Sequence, residues 1–177
     1  MHDTEDKNWW VIEGRRKEDI FVQEVAPQLK INAIINPDKK TNPYGPDLIV
    51  DGAIADLKCQ ETPFFKSYSL YRIPNQYAVT FNYKDYINYR KNYPNIVLFF
   101  WIYWKELEKI VGSVTYTVKP MSGIWKVNFN KLLGWIETGK VPLHQYLRRV
   151  NDSAGNAKDS YIFDIRKFDE LLLNLKN

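Results

Sequence analysis

Apolar residues recur along the chain with two periods, which predict its helices and strands. The nine residues from Ile96 to Trp104 are all apolar and predict a fully buried central strand. An amphipathic helix is predicted over 15–26, because Glu18, Phe21, Val22 and Val25 recur at i, i+3, i+4 and i+7. Pro27 is expected to stop or kink it. Further strands are predicted at 31–36, 77–81 (a helix start is the alternative there), 114–118 and 161–165, and further helices at 84–93, 129–136, 143–150 and 168–175. This order predicts an α/β domain with a mixed central β-sheet flanked by helices.

Residues 46–60 predict a β-hairpin. Its turn is the pair Asp51-Gly52, a strong signal for a two-residue turn. Such a turn fixes the register and therefore which side chains share a face. The expected cross-strand pairs are Val50–Ala53, Ile49–Ile54, Leu48–Ala55 and Asp47–Asp56.

The polar face of this hairpin carries two opposed acids. Directly opposed side chains lie about 5 Å apart, so Asp47 and Asp56 require a cation or a shared proton. Mg²⁺ is typically held by one or two carboxylates together with substrate phosphates. Lys58 lies on the same face, two residues after Asp56. The pattern predicts two acids, a metal and a lysine around a phosphate. The alternative is a surface ion pair between Asp56 and Lys58 on a solvated face.

Pro46-Asp47, eight further residues and then Asp56-Leu57-Lys58 resemble the signature of the PD-(D/E)XK nuclease superfamily. The resemblance covers residues 14 to 60 and implies a restriction-endonuclease-like core. By this resemblance Asp47, Asp56 and the backbone carbonyl of Leu57 would hold the metal. Lys58 would activate the attacking water and stabilise the developing charge. Gln60, at a position where many members carry glutamine, would support the site or a phosphate.

A glutamate on the helix before the hairpin is also common in this superfamily. Here the spacing from Gly14 to Glu18 resembles that of Holliday-junction resolvases. Glu18 would be an outer metal ligand or a water-positioning acid. Glu24, on the same predicted helix, is the alternative third acid. It lies six residues further on, about 240° round the helix, which favours Glu18.

The resemblance implies a Mg²⁺-dependent DNA endonuclease of the restriction or homing type, with Mn²⁺ able to substitute. The expected substrate is double-stranded or branched DNA, and the expected assembly is a homodimer or higher homo-oligomer. We expect one nuclease domain over 1–177, with its core at about 14–118 and recognition or assembly elements at about 119–177. The alternatives are a Holliday-junction resolvase and a non-catalytic DNA-binding module on a nuclease scaffold.

Charge is distributed unevenly along the chain, whose net charge is +4. Residues 1–61 carry a net charge of −4 and residues 62–177 a net charge of +8, which supports contact between the latter and a phosphate backbone. The candidate DNA-binding residues are Arg148, Arg149, Lys158, Arg15 and Arg16. For each of these groups an ordinary solvated charge is the alternative.

The single cysteine excludes an internal disulfide and fits a reducing compartment. Because the chain has neither an apolar run of about 18 residues nor a signal-peptide pattern at its N-terminus, we expect no membrane partner and a cytoplasmic location.

Overall fold

A computed structural model describes residues 7–42, 45–146 and 159–173. The architecture is α/β, with a mixed six-stranded central sheet flanked by helices, as the sequence predicts. The helices are α1 (Lys7–Ile20), α2 (Ala26–Gln28), α3 (Ser67–Tyr71), α4 (Tyr83–Asn92) and α5 (Phe129–Glu137). The strands are β1 (Ala33–Ile35), β2 (Leu48–Val50), β3 (Ala53–Gln60), β4 (Ala78–Asn82), β5 (Val97–Tyr103), β6 (Glu108–Val111), β7 (Val114–Thr117), β8 (Ser122–Asn128), β9 (Leu143–His144), β10 (Ser160–Asp164) and β11 (Asp169–Leu173).

The central sheet has the order β1-β2-β3-β5-β8-β11. Strands β3 and β5 run parallel, and the other neighbouring pairs are antiparallel. Strand β5 lies between β3 and β8 and is buried along most of its length, as its apolar run predicts. A second sheet has the order β4-β10-β9, and β6 pairs with β7 in a separate hairpin.

One face of the central sheet packs against the N-terminal helical segment. Phe21 and Val25 are buried there against Phe99 and Trp101 of β5. The helical path continues from α1 through a π-helical turn at Phe21–Val25 and ends at Gln28, just beyond Pro27. In this turn the amide of Ala26 donates to the carbonyl of Phe21, five residues back. Proline has no amide to donate and its ring crowds the preceding turn, so a wider turn before it is physically reasonable.

The opposite face packs against α4, α5 and the smaller sheet. Leu98, Phe100 and Ile102 of β5 are fully buried in this second core. Helix α4 contributes Tyr86 and Tyr89, so these two tyrosines are packing residues. Asp56 and Lys58 alternate along β3 with Ala55 and Leu57, which belong to the first core, and therefore point toward the second layer.

The C-terminal part differs from the sequence predictions. The helix predicted at 168–175 is wrong, because Asp169–Leu173 is strand β11, paired antiparallel with β8. The helix predicted at 143–150 is wrong at its start, where Leu143–His144 pairs with β10; residues 147–150 lie outside the described residues. Strand β8 was not predicted at all. In each case pairing with a distant strand outweighs local propensity.

No helix among the described residues is both long enough and apolar enough to cross a membrane.

Candidate functional site

The predicted hairpin forms with the expected register. Leu48 pairs with Ala55, Ile49 with Ile54 and Val50 with Ala53. The two turn residues, Asp51 and Gly52, have φ values of 49° and 80°. A two-residue type I′ turn requires positive φ at both of its central positions, which Asp-Gly tolerates.

The two hairpin acids lie next to each other, Asp47 directly before β2 and Asp56 within β3. The amide of Asp47 donates to Oδ1 of Asp56 over 3.3 Å. The amide of Leu57 donates to Oδ2 of Asp47, also over 3.3 Å. These contacts are long, but through them each carboxylate reaches a backbone amide at or next to the other acid. The predicted Asp47–Asp56 pair is therefore present, together with the backbone of Leu57.

Asp56 forms the ion pair with Lys58 that the alternative predicts, but this pair is buried and does not lie on a solvated face. The Asp56 side chain is only 5% exposed. Burial raises the pKa of this carboxyl to about 6; the charge of Lys58 opposes the shift and that of Asp47 adds to it. Lys58 Nζ lies 2.7 Å from Asp56 Oδ2, yet this oxygen accepts no well-aligned hydrogen bond from any described residue. One carboxylate oxygen in the site is therefore poorly satisfied.

Lys58 is surrounded by acceptors from two elements. Besides its ion pair with Asp56, its ammonium donates to Asp85 Oδ2 at 2.6 Å and to the Tyr89 hydroxyl at 3.1 Å. Burial disfavours the ammonium, but the negative charges of Asp56 and Asp85 outweigh burial and raise the pKa of Lys58 well above its usual value. Lys58 is therefore a fixed positive charge beside the two acids.

Glu18 enters the cluster from α1 through a second lysine. Lys39 Nζ donates to Glu18 Oε1 at 2.6 Å and to Asp47 Oδ1 at 2.5 Å. Burial alone would lower the pKa of Lys39, but the charges and hydrogen bonds of Asp47 and Glu18 outweigh it and raise this pKa. Glu18 is buried, whereas Glu24 is exposed. The structure thus brings Glu18, and not Glu24, to the hairpin acids.

Lys39 is positioned by a short turn that Asn36 anchors. Pro37–Lys40 form a 3-10 turn whose first amide is capped by Asn36, with Asp38 N donating to Asn36 Oδ1 at 3.1 Å. The buried Asn36 side chain also donates to the Pro46 carbonyl at 3.0 Å. The backbone N–H of Asn36 donates to the backbone carbonyl of Asp47 at 2.9 Å. One asparagine therefore joins the Lys39 turn to the strand that carries Asp47.

The remaining predicted residues lie away from the acids. The Gln60 amide bonds the backbone of Thr80 in both directions, at 2.6 and 3.1 Å, and so connects β3 to β4. Arg15 and Arg16 are exposed on α1, and Arg16 is paired with Glu13. Arg148, Arg149 and Lys158 lie outside the described residues.

Sequence reasoning missed Lys39, Asp85 and Tyr89, the residues that complete the cluster. Lys39 lies in a segment for which no helix or strand was predicted, and Asp85 and Tyr89 belong to α4, 27 and 31 residues after Lys58. The one local signal was Asn36-Pro37, a typical start of a short helical turn that would carry Lys39. Nothing local marks Asp85, since an acid in the first turn of a helix is common.

The donor chemistry of the cluster fits a hard divalent cation. Four carboxylates face two ammonium groups, so the net charge is −2 when all six groups are ionised. Carboxylate oxygens are the ligands that Mg²⁺ takes from proteins. Within the described residues, no three His, Cys, Asp or Glu side chains already converge as a metal-binding group. The acids are present, but lysine ammonium groups lie between them.

Comparison of the chain with protein-family models, with curated proteins and with solved structures found no match.

Proposed function

We propose that this protein is a Mg²⁺-dependent DNA endonuclease. One observation carries the proposal: Glu18, Asp47, Asp56 and Lys58, from α1, the hairpin and β3, meet in one half-buried cluster with excess negative charge. Burying Asp56 beside Asp47 costs free energy, which a surface ion pair would not require. A bound cation would offset this cost.

The proposed reaction is hydrolysis of a phosphodiester bond. A water oxygen attacks phosphorus, the bond to the 3′ oxygen breaks, and the water proton ends on that oxygen, leaving a 5′-phosphate and a 3′-hydroxyl. Asp47, Asp56 and the Leu57 carbonyl would hold the metal, with Glu18 as an outer acid. When bound, Mg²⁺ would supply a Lewis acid and lower the pKa of the attacking water. Mn²⁺ is expected to substitute.

Lys58 would stabilise the negative charge that develops on the phosphate. A fixed ammonium in a water-poor site is worth more to a transition state than one in bulk solvent. Asp85 and Tyr89 hold this ammonium at 2.6 and 3.1 Å, so it does not have to be oriented during the reaction. These two residues are therefore proposed as positioning residues for Lys58.

The resemblance to the PD-(D/E)XK superfamily supports the proposal from the sequence side. The acid-bearing helix precedes the hairpin, and the two acids and the lysine lie on the hairpin face that the motif implies. We propose on this basis that the sheet from β1 to β5, with α1, is a restriction-endonuclease-like core. The net charge of +8 over 62–177 supports contact of this part with DNA.

Supercoiled plasmid and linear phage DNA, incubated with pure protein, test the proposal. We expect discrete fragments with Mg²⁺ or Mn²⁺ and none with EDTA. Lys58→Met should reduce the cleavage rate by about 10²- to 10³-fold. Lys91→Met, an exposed lysine in the last turn of α4, is the matched control and should cleave as the parent does. Equal cleavage by parent and Lys58→Met would refute the assigned role.

A Holliday-junction resolvase is the second candidate, supported by the spacing of Gly14 and Glu18 on α1. Cleavage of a four-way junction, compared with cleavage of its linear arms, separates the two functions. Binding of DNA without turnover in any metal would instead indicate a non-catalytic module on a nuclease scaffold.

We further propose that the active species is a homodimer or higher homo-oligomer. A single cluster of this kind cuts one strand, and a double-strand break requires two. Light scattering coupled to gel filtration, with and without DNA, would show whether the cutting species contains one or two chains.

A further inference from the structure

Lys39 lies between two acids in the way a metal ion would. Its ammonium is 2.6 Å from Glu18 Oε1 and 2.5 Å from Asp47 Oδ1. Both are short, charge-assisted hydrogen bonds, longer than the about 2.0 to 2.1 Å at which carboxylate oxygens bind Mg²⁺. The two oxygens belong to different elements, α1 and the hairpin, and the Lys39 ammonium is the group that joins them.

The turn that carries Lys39, Pro37–Lys40, is held in place at its first residues. Asn36 fixes the start of the turn through Asp38 N and the Pro46 carbonyl. Lys39 itself reaches the acids with a long flexible side chain, and its neighbour Lys40 is exposed. The ammonium can therefore leave the acids by changing rotamers, with the anchored backbone in place.

The net negative charge of the cluster favours replacement of the Lys39 ammonium by a divalent cation. With Lys39 in place the cluster of six charged groups retains a net charge of −2. A divalent cation between Glu18 and Asp47 would bring twice the charge of the ammonium to the same oxygens. The displaced ammonium would then be free to contact a phosphodiester of bound DNA.

We propose that Lys39 is a built-in counter-ion, which holds Glu18 and Asp47 together in the metal-free protein, yields its place to the divalent ion and then contacts the substrate phosphate. This inference rests on the proposed function, because it concerns the same site. It assigns a function to Lys39 beside those proposed for the divalent metal and Lys58, and no sequence motif indicated this residue. It also explains why the described acids form no open metal-binding group although their chemistry suits one.

Titration calorimetry with Mn²⁺ alone, without DNA, tests the competition. Lys39→Met removes the ammonium and keeps the length of the side chain, so we expect Mn²⁺ to bind about tenfold more tightly or better. Lys39→Gln, which retains a hydrogen-bonding group, should also bind more tightly and serves if Lys39→Met does not fold. Lys40→Met is the matched control and should bind as the parent does. Unchanged or weaker binding by both Lys39 variants would overturn the proposal.

Lysine labelling of the unaltered protein gives a second readout that no variant can confound. Amine-reactive labelling followed by mass spectrometry should show Lys39 becoming several-fold more reactive when Mn²⁺ is added, with Lys40 unchanged. An unaltered Lys39 reactivity at saturating Mn²⁺ would overturn the displacement.

The two proposals fail in different ways. If neither the parent nor the Lys39 variants bind Mn²⁺, both the metal-dependent nuclease and the counter-ion role are wrong. If the parent binds Mn²⁺ and cleaves DNA, but Lys39 substitution leaves Mn²⁺ affinity unchanged, only the counter-ion role is wrong.

Discussion

Asp56 is buried beside a second carboxylate, and its pKa is raised to about 6 although Lys58 lies 2.7 Å away. Burying a charged carboxylate costs folding free energy unless its partners offset the loss of water. Stability alone therefore gives no reason to place an aspartate here. In the metal-free protein the compensation is incomplete. The free energy that burial of Asp56 costs, and the cleavage rate that it is proposed to support, can both be measured in variants of this residue.

Asp56→Asn should stabilise the metal-free protein at neutral and higher pH. The pKa of Asp56 is raised above its unfolded value of 3.8, so between pH 3.8 and about 6 the folded state binds more protons. The stability contributed by Asp56 is therefore full below pH 4 and is lost as the pH rises through 6. Each pKa unit corresponds to about 1.4 kcal/mol, so we expect a gain of roughly 1 to 3 kcal/mol at pH 8.

Denaturant unfolding in EDTA from pH 4 to 8 measures this gain. Asp19→Asn, an exposed acid on α1, is the matched control and should show no such pH-dependent difference from the parent. A variant that is less stable than the parent at pH 8 would show that the ion pair with Lys58 outweighs burial.

Asp85→Asn should slow cleavage without weakening DNA binding. Asp85 contacts Lys58 at 2.6 Å from α4 and has no assigned contact with the substrate. Losing an outer partner of a functional group typically costs 10- to 100-fold in activity, so we expect a loss of about that size in kcat. Fluorescence anisotropy on duplex DNA with Ca²⁺, beside rate measurements with Mg²⁺, separates the two effects. A large loss of DNA affinity would contradict a positioning role.

Half of the candidate site could be predicted from local sequence. Asp51-Gly52 fixes the turn, the turn fixes the register, and the register places Asp47 opposite Asp56 with Lys58 on the same face. Lys39 and Asp85 could not be found in this way. They meet the acids only because a proline turn and helix α4 fold back onto the hairpin, and a single sequence carries no signal for that contact.

At the scale of elements, the β8–β11 pair shows where local patterns fail. Residues 168–175 are rich in leucine, which favours a helix, and β8 contains a glycine and a lysine that interrupt its apolar pattern. Segment 169–173 is a strand because it pairs with β8, as in Leu173 with Gly123 and Leu172 with Ile124, and β8 is also paired with β5 along its other edge. Elements whose pattern is continuous, such as β5 and α4, were predicted well.

Gly123→Ala should destabilise the protein by disrupting this pair. A Cβ at Gly123 would lie 2.4 Å from the Leu172 carbonyl oxygen and 2.9 Å from the Trp125 ring. The Leu172 contact is with backbone, which cannot rotate away, so we expect a loss of about 1 to 3 kcal/mol in unfolding free energy.

Gly134→Ala is the matched control for this change. Gly134 lies in α5, and an added Cβ there would meet no atom within 4 Å apart from its chain neighbours and the backbone of its own helix. Alanine in a helix is favoured over glycine by up to about 1 kcal/mol, so this variant should be as stable as the parent or more so. If Gly123→Ala unfolds no more easily than Gly134→Ala, the described pairing of β8 with β11 is wrong.

At the scale of the molecule, acidic and basic charge are separated along the chain. Glu18, Asp47 and Asp56 lie in the segment with net charge −4, and the segment with net charge +8 follows it. The parallel β3–β5 pair and the contact of α4 with Lys58 join the two segments at the site. A polyanion held by the basic segment would therefore meet the acidic cluster, which is the arrangement that the proposed hydrolysis of DNA requires.

The most direct test of this account is the rate of Mg²⁺-dependent plasmid cleavage by Asp56→Asn at pH 8, beside Asp19→Asn. We predict that Asp56→Asn is more stable than the parent yet cleaves about 100-fold more slowly or not at all, while Asp19→Asn cleaves normally. Greater stability would exclude misfolding as the cause of the loss. Cleavage by Asp56→Asn within two- to threefold of the parent rate would contradict the central claim that this buried acid serves a metal-dependent nuclease.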